Sequence, residues 1–419
     1  MRMSGTASPS QVLARLQFYR ERLRQEGAIW FLTRIIKRAW VVFAWVLLLP
    51  VTVLLHAAGY RRVTVFTDRI GHLSADIDCF LKEKALGRLP DRRWFVLAPP
   101  HRIANPCLLD YWREHVPVIS SAAMCGLLEA MTWWRFMAFD ISHYSSKVNA
   151  TSIYYEISAQ WGERDPIIRL TDEHAARGRK VLESMGMPRD AWFVCFHARE
   201  GGFSQADEII QSHRNSDVLR LIPAMEQVIA RGGWCIRMGD PSMRRLPPIA
   251  KVIDYAHHPV RSDWMDVFLC ASCRFFVGNS SGLTIVSSIF GVPSALANMV
   301  PLSALGFHPR DISIPKLFHL KGETDYMRFP ELFACPIADY RYALFYQDAG
   351  VEVEENSAED IRDLVAEMLD RLDGKFVETD EDRKLQQRYR SLFRPGHYAY
   401  GAASRVGAAF LRKYRHLLD

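Results

Sequence analysis

From residue 60 onward, short apolar runs of strand length alternate with segments of helical period. Arg62 to Thr67 alternates with the period of two that marks a strand, and the polar turn 68–73 opens a helix reaching about Leu86. Trp94 to Ala98 reads as the next strand, then the loop 99–106, a helix from Cys107 to Glu114 and a short strand from Pro117 to Ile119. Residues 124–159 are aromatic without a clean period, Thr171 to Met185 is helical, and Met187-Pro188 marks a boundary. The second half repeats the alternation. Its strands are Trp192 to Phe196, Trp234 to Met238, Ile253 to Tyr255 and Arg274 to Val277; residues 203–216 read as a polar loop and Leu219 to Arg231 as an amphipathic helix. Met265, Phe268 and Leu269 share a helical face before the last of these strands, and Leu283 to Phe290 is helical after it. Beyond Pro301 the pattern is irregular until Ala358 to Leu372, Asp380 to Phe393 and Gly401 to Leu418, which read as helices. Strands that alternate with helices predict an α/β fold with a parallel sheet, whose ligand sites lie beyond the carboxyl ends of the strands.

Polar residues collect at those ends. His197, Arg199 and Glu200 follow one strand, Gly239 and Asp240 a second, and Asn279, Ser280, Ser281 and Gly282 a third. The last group sits where a helix begins. It either caps that helix, as Ser and Asn commonly do, or offers N–H groups to an anion. Convergence of three such strand ends on one crevice favours the anion site. Asp76-Ile77-Asp78 has the look of a metal-binding pair, but in mid-helix the two carboxylates diverge, so it reads as a solvated face. No Gly-x-Gly-x-x-Gly, no phosphate-binding Gly-x-x-x-x-Gly-Lys-Ser/Thr loop and no His-Glu-x-x-His occurs, which disfavours a dinucleotide oxidoreductase.

A chain of 419 residues with 24% charged and 49% apolar positions is globular and too long for one core. Its net charge of +6 is carried by residues 1–38, where eight Lys or Arg face two Glu. The excess adjoins the apolar run Ala39 to Ala58, which contains Pro50 and is flanked by Lys37, Arg38, Arg61 and Arg62. A basic excess next to an apolar segment points to anionic lipid and away from nucleic acid. With no charge asymmetry to orient a span, the expectation is a kinked helix lying in one leaflet. The eight cysteines are scattered through apolar elements, which suits buried thiols in a reducing compartment, and Cys270 and Cys273 form a lone Cys-x-x-Cys that does not predict zinc.

The stretches Arg69-Ile70-Gly71-His72-Leu73, Arg214-Asn215-Ser216-Asp217, Gly233 to Pro241 and Ser262 to Cys270 resemble a little-characterised family of bacterial glycosyltransferases associated with surface-polysaccharide synthesis. More distantly, His197-x-Arg199 and the unit from Asp266 to Ser281 are similar to the fucosyltransferase superfamily, although Glu200-Gly201-Gly202 stands where those enzymes carry a further basic residue. The resemblance implies a GT-B fold, two Rossmann-like domains facing a cleft, preceded here by the membrane-associated helix. It divides the chain into a membrane-associating segment 1–60, an acceptor domain 61–187, a nucleotide-sugar domain 188–345, and helices 346–419 packing back on the first domain. It further implies a metal-independent, inverting transfer from a GDP- or UDP-linked sugar, used as substrate with no cofactor. The acceptor would be a glycan or polyprenyl-linked glycan at the cytoplasmic face of the inner membrane.

For that chemistry the leaving diphosphate needs fixed cations and helix N–H groups. Arg199 is the first choice, because guanidinium grips phosphate in a planar fork, and Arg237 the second. His197, Asn279, Ser280, Ser281, Gly282 and Gly239 complete the expected donor site, with Asp217 and Asp240 on ribose or sugar hydroxyls or capping turns. His72, in the loop after the first strand, is expected to be the base for the acceptor hydroxyl, with His101 and Glu200 as rivals. Trp133 and Trp134 either touch the acceptor or fill a core. A membrane-bound, catalytically inactive scaffold or sugar-binding subunit is the competing reading; a nucleotide-sugar epimerase is a third, weakened by the missing dinucleotide motif.

Overall fold

A parallel strand buried on both faces needs a near-continuous apolar sequence, and Phe193-Val194-Cys195-Phe196 supplies one. In the computed structural model, which describes residues 32–33, 35–36, 39–40, 42–132, 134–142, 144, 151–202 and 205–419, this strand lies inside a seven-stranded sheet. Contacts divide the chain into two compact units. One comprises Met1–Val63, Arg92–Pro100 and Val118–Phe139, the other Thr64–Asp91, His101–Pro117 and Asp140–Asp419.

The first unit is built on strands β1 (Tyr60–Thr64), β2 (Arg93–Leu97), β3 (Val118–Ile119) and β4 (Ala138–Asp140), in the order β3-β2-β1-β4. β1 pairs β2 and β2 pairs β3 in parallel, with Tyr60 opposite Arg93 and Val96 opposite Val118. The helices Leu49–Ala57 and Ala122–Met131 belong to this unit. Phe95, Leu97, Cys125 and Met137 form its core, with Leu55, Leu128, Trp134 and Phe136 packed against them. Among the described residues no helix is long and apolar enough to cross a membrane. The basic residues of 1–31, together with Arg34, Lys37 and Arg38, lie outside the described residues, as does Trp133. Trp134 is described, and it fills a core: its ring stacks on Trp45 at 4.1 Å.

The second unit contains β5 (Phe193–Phe196), β6 (Trp234–Arg237), β7 (Val252–Ile253), β8 (Phe276–Gly278), β9 (Ser294–Met299), β10 (Ile312–Pro315) and β13 (Arg405–Val406), in the order β13-β10-β9-β8-β5-β6-β7. Every pair in it is parallel. β11 (Leu317–Leu320) and β12 (Val351–Glu354) pair separately and antiparallel. Helices Ile222–Ala230 and Ala358–Leu372 pack on one another, and Gly282–Ile289 packs on Ile70–Ala85. The mixed α/β class with parallel sheets is therefore the observed one.

Four local expectations are corrected. Residues 203–216 are not a plain loop, because Gln205–Gln211 is a helix followed by a 3-10 turn at Ser212–Arg214. The stretch after Pro301 contains β10, β11 and β12, short strands whose burial comes from the neighbouring strands and not from an internal period. The C-terminal segment is not one helix. β13 joins the seven-stranded sheet beside β10, and the Tyr398 carbonyl accepts from the Ser152 N–H at 2.9 Å. Asp76 and Asp78 are not solvated: both are fully buried and paired, Asp78 with Lys82 at 2.7 Å and with the Tyr154 hydroxyl at 2.8 Å. Spacing of two along a helix does separate them, but each finds a partner of its own.

Candidate functional site

The second unit brings two helix N-termini together. Gly71, in the first turn of Ile70–Ala85, meets Gly282, the first residue of Gly282–Ile289; a Cβ on Gly282 would lie 2.9 Å from the Gly71 nitrogen. A Cβ on Gly71 would lie 3.0 Å from the Gly282 Cα. Both obstacles are backbone, so only glycine permits this approach. Ser281 is the N-cap of the second of these helices.

His72 is held by a buried carboxylate. Its Nδ1 lies 2.6 Å from Asp76 Oδ2, one helical turn on, and Asp76 is fully buried while the His72 side chain stays 20% exposed. An Nδ1–H donated to that carboxylate leaves the lone pair on Nε2. Phe66 packs edge-on against the ring at 5.2 Å. The rival bases are placed differently. His101 sits exposed in the turn Pro100–Arg102. Glu200 spends one oxygen on Arg237 at 3.2 Å and the other on the Arg244 N–H at 2.7 Å.

Beneath the helix N-terminus, His197 is buried with Nδ1 3.2 Å from the Met238 carbonyl and Nε2 3.0 Å from Ser281 Oγ. The carbonyl accepts a hydrogen bond from Nδ1–H, so Nε2 accepts from the serine hydroxyl. Burial, with Arg237 and Arg199 nearby, pushes the His197 pKa down to about 4, so the ring is neutral at pH 7. Ser281 Oγ also accepts from the Leu283 N–H at 3.4 Å, which makes it a cap as well as a contact of His197. Ser280 is fully engaged elsewhere: its hydroxyl donates to the Val300 carbonyl at 2.7 Å and accepts from the Val300 N–H at 3.0 Å. Ser281→Ala is expected to leave the His197 ring nitrogen buried and unpaired, which costs about 1–3 kcal/mol. A denaturant titration in which the variant matches the parent would contradict this.

Asn279, buried, ties the strand end to the 211–216 turn. Its Nδ2 donates to the Arg214 carbonyl at 3.1 Å and to Ser216 Oγ at 2.7 Å, and its Oδ1 accepts from the Arg199 N–H at 3.4 Å. Three cations gather on that turn. Arg199 donates to Asn215 Oδ1 and to the Gln211 carbonyl at 3.2 Å, with Glu208 at 3.6 Å. Arg214 grips the Ser280 carbonyl through Nε at 2.7 Å and through Nη2. Lys316 donates to the Asn215 carbonyl at 2.6 Å; burial pushes its pKa down to about 8. His213 lies among these charges with neither ring nitrogen hydrogen-bonded among the described residues, and burial together with the three cations pushes its pKa to about 3.

The remaining expected residues do other work. Arg237 is fully buried between Glu200 and Asp254, each at 3.2 Å, so its charge is committed to the protein. Asp217 caps the turn Val218–Leu221 by accepting from the Leu219 N–H at 3.0 Å, and Asp240 accepts from the Ser242 N–H at 2.9 Å. Gly239 has φ +154 and leaves no room for a Cβ, which would lie 2.4 Å from Met243 Sδ. Sequence reasoning missed Asp76, Arg214 and Lys316 as members of the site. Asp76 was readable from its spacing of four from His72, and Lys316 would have been found had Ile312–Pro315 been read as a strand with a polar residue at its end. Among the described residues no group of three His, Cys, Asp or Glu side chains forms a metal-binding set.

No protein-family model and no curated protein matches this sequence. Solved structures that resemble the chain include the glycosyl transferase family 9 protein of Veillonella parvula, at 12% identity and a TM-score of 0.41, covering 74% of this chain and 97% of that one. The iron-containing dodecameric glycosyltransferase TibC of enterotoxigenic E. coli aligns at 11% identity and a TM-score of 0.31, covering 57% of each chain. TibC in complex with ADP-D-beta-D-heptose aligns at 10% identity, with the same TM-score and coverage. At these identities and TM-scores the likeness assigns neither a fold nor an activity to this chain.

Proposed function

We propose that this protein is a nucleotide-sugar-dependent glycosyltransferase of GT-B type. The observation that supports this most directly is a carboxylate-oriented histidine, His72 with Asp76, held by the Gly71–Gly282 contact beside a helix N-terminus. Group transfer from a diphosphate needs those two parts in one place: a base for the incoming hydroxyl and a fixed electropositive seat for the leaving group. In this reading His72 Nε2 takes the proton of the acceptor hydroxyl as its oxygen bonds to the anomeric carbon. The bond from that carbon to the diphosphate oxygen breaks, in a single inverting displacement. The diphosphate charge is received by the N–H groups at Gly282 and by Arg199, with Arg214 and Lys316 adding to the local potential. His197 and Asn279 shape the seat. The donor lies in residues 188–345 and the acceptor at 61–187, without a metal or other cofactor. The acceptor is a glycan or lipid-linked glycan of bacterial surface-polysaccharide synthesis, met at the cytoplasmic face of the inner membrane.

Thermal-shift titration with UDP, GDP, ADP, CMP and dTDP tests the reading, and one nucleotide is expected to stabilise the protein at micromolar concentration. Arg199→Ala should abolish that shift. No stabilisation by any nucleotide would favour a non-catalytic scaffold. Lys316 adds a pH signature. Its folded pKa lies below the ordinary 10.5, so its charge is present below about 8 and lost above it. Nucleoside-diphosphate affinity is therefore expected to fall as pH rises through about 8, and Lys316→Met should flatten that profile. An unchanged slope in the variant would remove Lys316 from the site.

A further inference from the structure

The helical segment that begins before residue 49 is apolar on both of its faces. One face is spent inside the first unit: Ala44 and Thr52 are buried, Leu48 packs with Ala130, and Leu55 joins the cluster of Phe95 and Cys125. Backbone bonds from Leu48 N–H to the Ala44 carbonyl and from Thr52 N–H to the Leu48 carbonyl, both 2.9 Å, carry the helical path across this stretch. The opposite face holds Phe43, Leu47, Val51 and Leu54, exposed by 48–70%. A helix that is apolar all round is normally enclosed, and this one is half enclosed.

A second element shows the same asymmetry. The helix Ala122–Met131 buries Cys125, Ala130 and Met131 but exposes Met124 and Leu127, each by 46%, along with Ala122, Ala123 and Gly126. No charged residue occurs in 118–128 or in 39–58. The unit that carries both faces is strongly basic: its described part has Arg61, Arg62, Arg92, Arg93 and Arg135 against Glu129 alone, and residues 1–38 add eight cations against two acids. An apolar area of this extent marks an interaction surface. The basic balance of this unit selects an anionic bilayer over a neutral or protein partner, because burial of apolar side chains and attraction to lipid headgroups act together.

We infer that the Ala122–Met131 helix is a second membrane-inserting element, entering the same leaflet of an anionic bilayer as the helix 42–57. This rests on the membrane reading given above and extends it to a part of the chain that no hydropathy argument singles out. The face is tested better by substitution than by deletion, since removing residues through 58 would also strip Leu55 and Trp45 from the core.

The experiment is co-sedimentation of the full chain with vesicles of phosphatidylcholine and phosphatidylglycerol, against phosphatidylcholine alone. The unaltered protein should bind the anionic vesicles preferentially. The double variant Met124→Glu/Leu127→Glu should lose about tenfold or more of that binding, as expected when buried methylenes are replaced by charge. The milder Met124→Gln/Leu127→Gln should lose part of it, and both should melt with the parent's transition temperature. If the glutamate variant binds like the parent while Phe43→Glu/Leu47→Glu does not, the membrane reading stands and the second element is refuted. If the unaltered protein binds neither vesicle, or both equally, the anionic-bilayer proposal falls whole.

Discussion

His72→Ala is expected to lower the rate of sugar transfer by about 10²–10⁴-fold, the usual contribution of a positioned general base. In the proposed reading nucleotide affinity should hardly change, because the partners of His72 among the described residues are Asp76 and Phe66 and none of the groups proposed to hold the diphosphate. Asp76→Asn should give a smaller loss. The amide still occupies the site but no longer stabilises an imidazolium as the proton arrives, so the pH profile of transfer should shift with it. A merely structural role for Asp76 would lower stability without moving that profile. Single-turnover transfer, followed with whichever nucleotide sugar the thermal-shift screen supports, separates the alternatives. Full activity in His72→Ala would return the role of base to His101 or to another group.

Arg237→Met should act on folding. The guanidinium is fully buried between Glu200 and Asp254, and its removal takes the shared cation from both carboxylates. Breaking a buried ion pair costs about 3–5 kcal/mol, and the partial exposure of both acids puts the expected value near the lower bound. Chemical denaturation should show this loss, and the residual folded protein should bind nucleotide normally. Preserved stability with lost nucleotide binding would instead restore Arg237 to the donor site. The triple change Arg237→Met/Glu200→Gln/Asp254→Asn should recover much of the stability, since the uncompensated charge is then gone.

The local chemistry of this chain is legible in its sequence where a signal is short-range. The capped helix Ala358–Leu372, the strand Phe193–Phe196 and the N-terminus at Ser281 are each specified by residues within a few positions, so periodicity and capping chemistry locate them. His72, His197 and Arg199 could be chosen because polar groups at the carboxyl ends of parallel strands line the crevice where such folds bind ligands. What a linear reading cannot weigh is competition between partners distant in sequence. Arg237 and Arg199 both follow or end strands, yet only the fold shows that Glu200 and Asp254 enclose the first, while the second meets Asn215 and Glu208. Ser280 and Ser281 are neighbours of the same type. Tertiary packing gives one hydroxyl to the Val300 backbone and the other to His197. The approach of Gly71 to Gly282 spans more than two hundred residues and is set by the absence of two side chains, which leaves no local pattern behind. Sequence therefore determined the α/β alternation, the basic and apolar N-terminal character and the pool of candidate groups. The tertiary structure decided which of those groups are consumed in ion pairs, which cap turns, and which remain beside the helix N-terminus, because burial and partner distance exist only once the chain is folded.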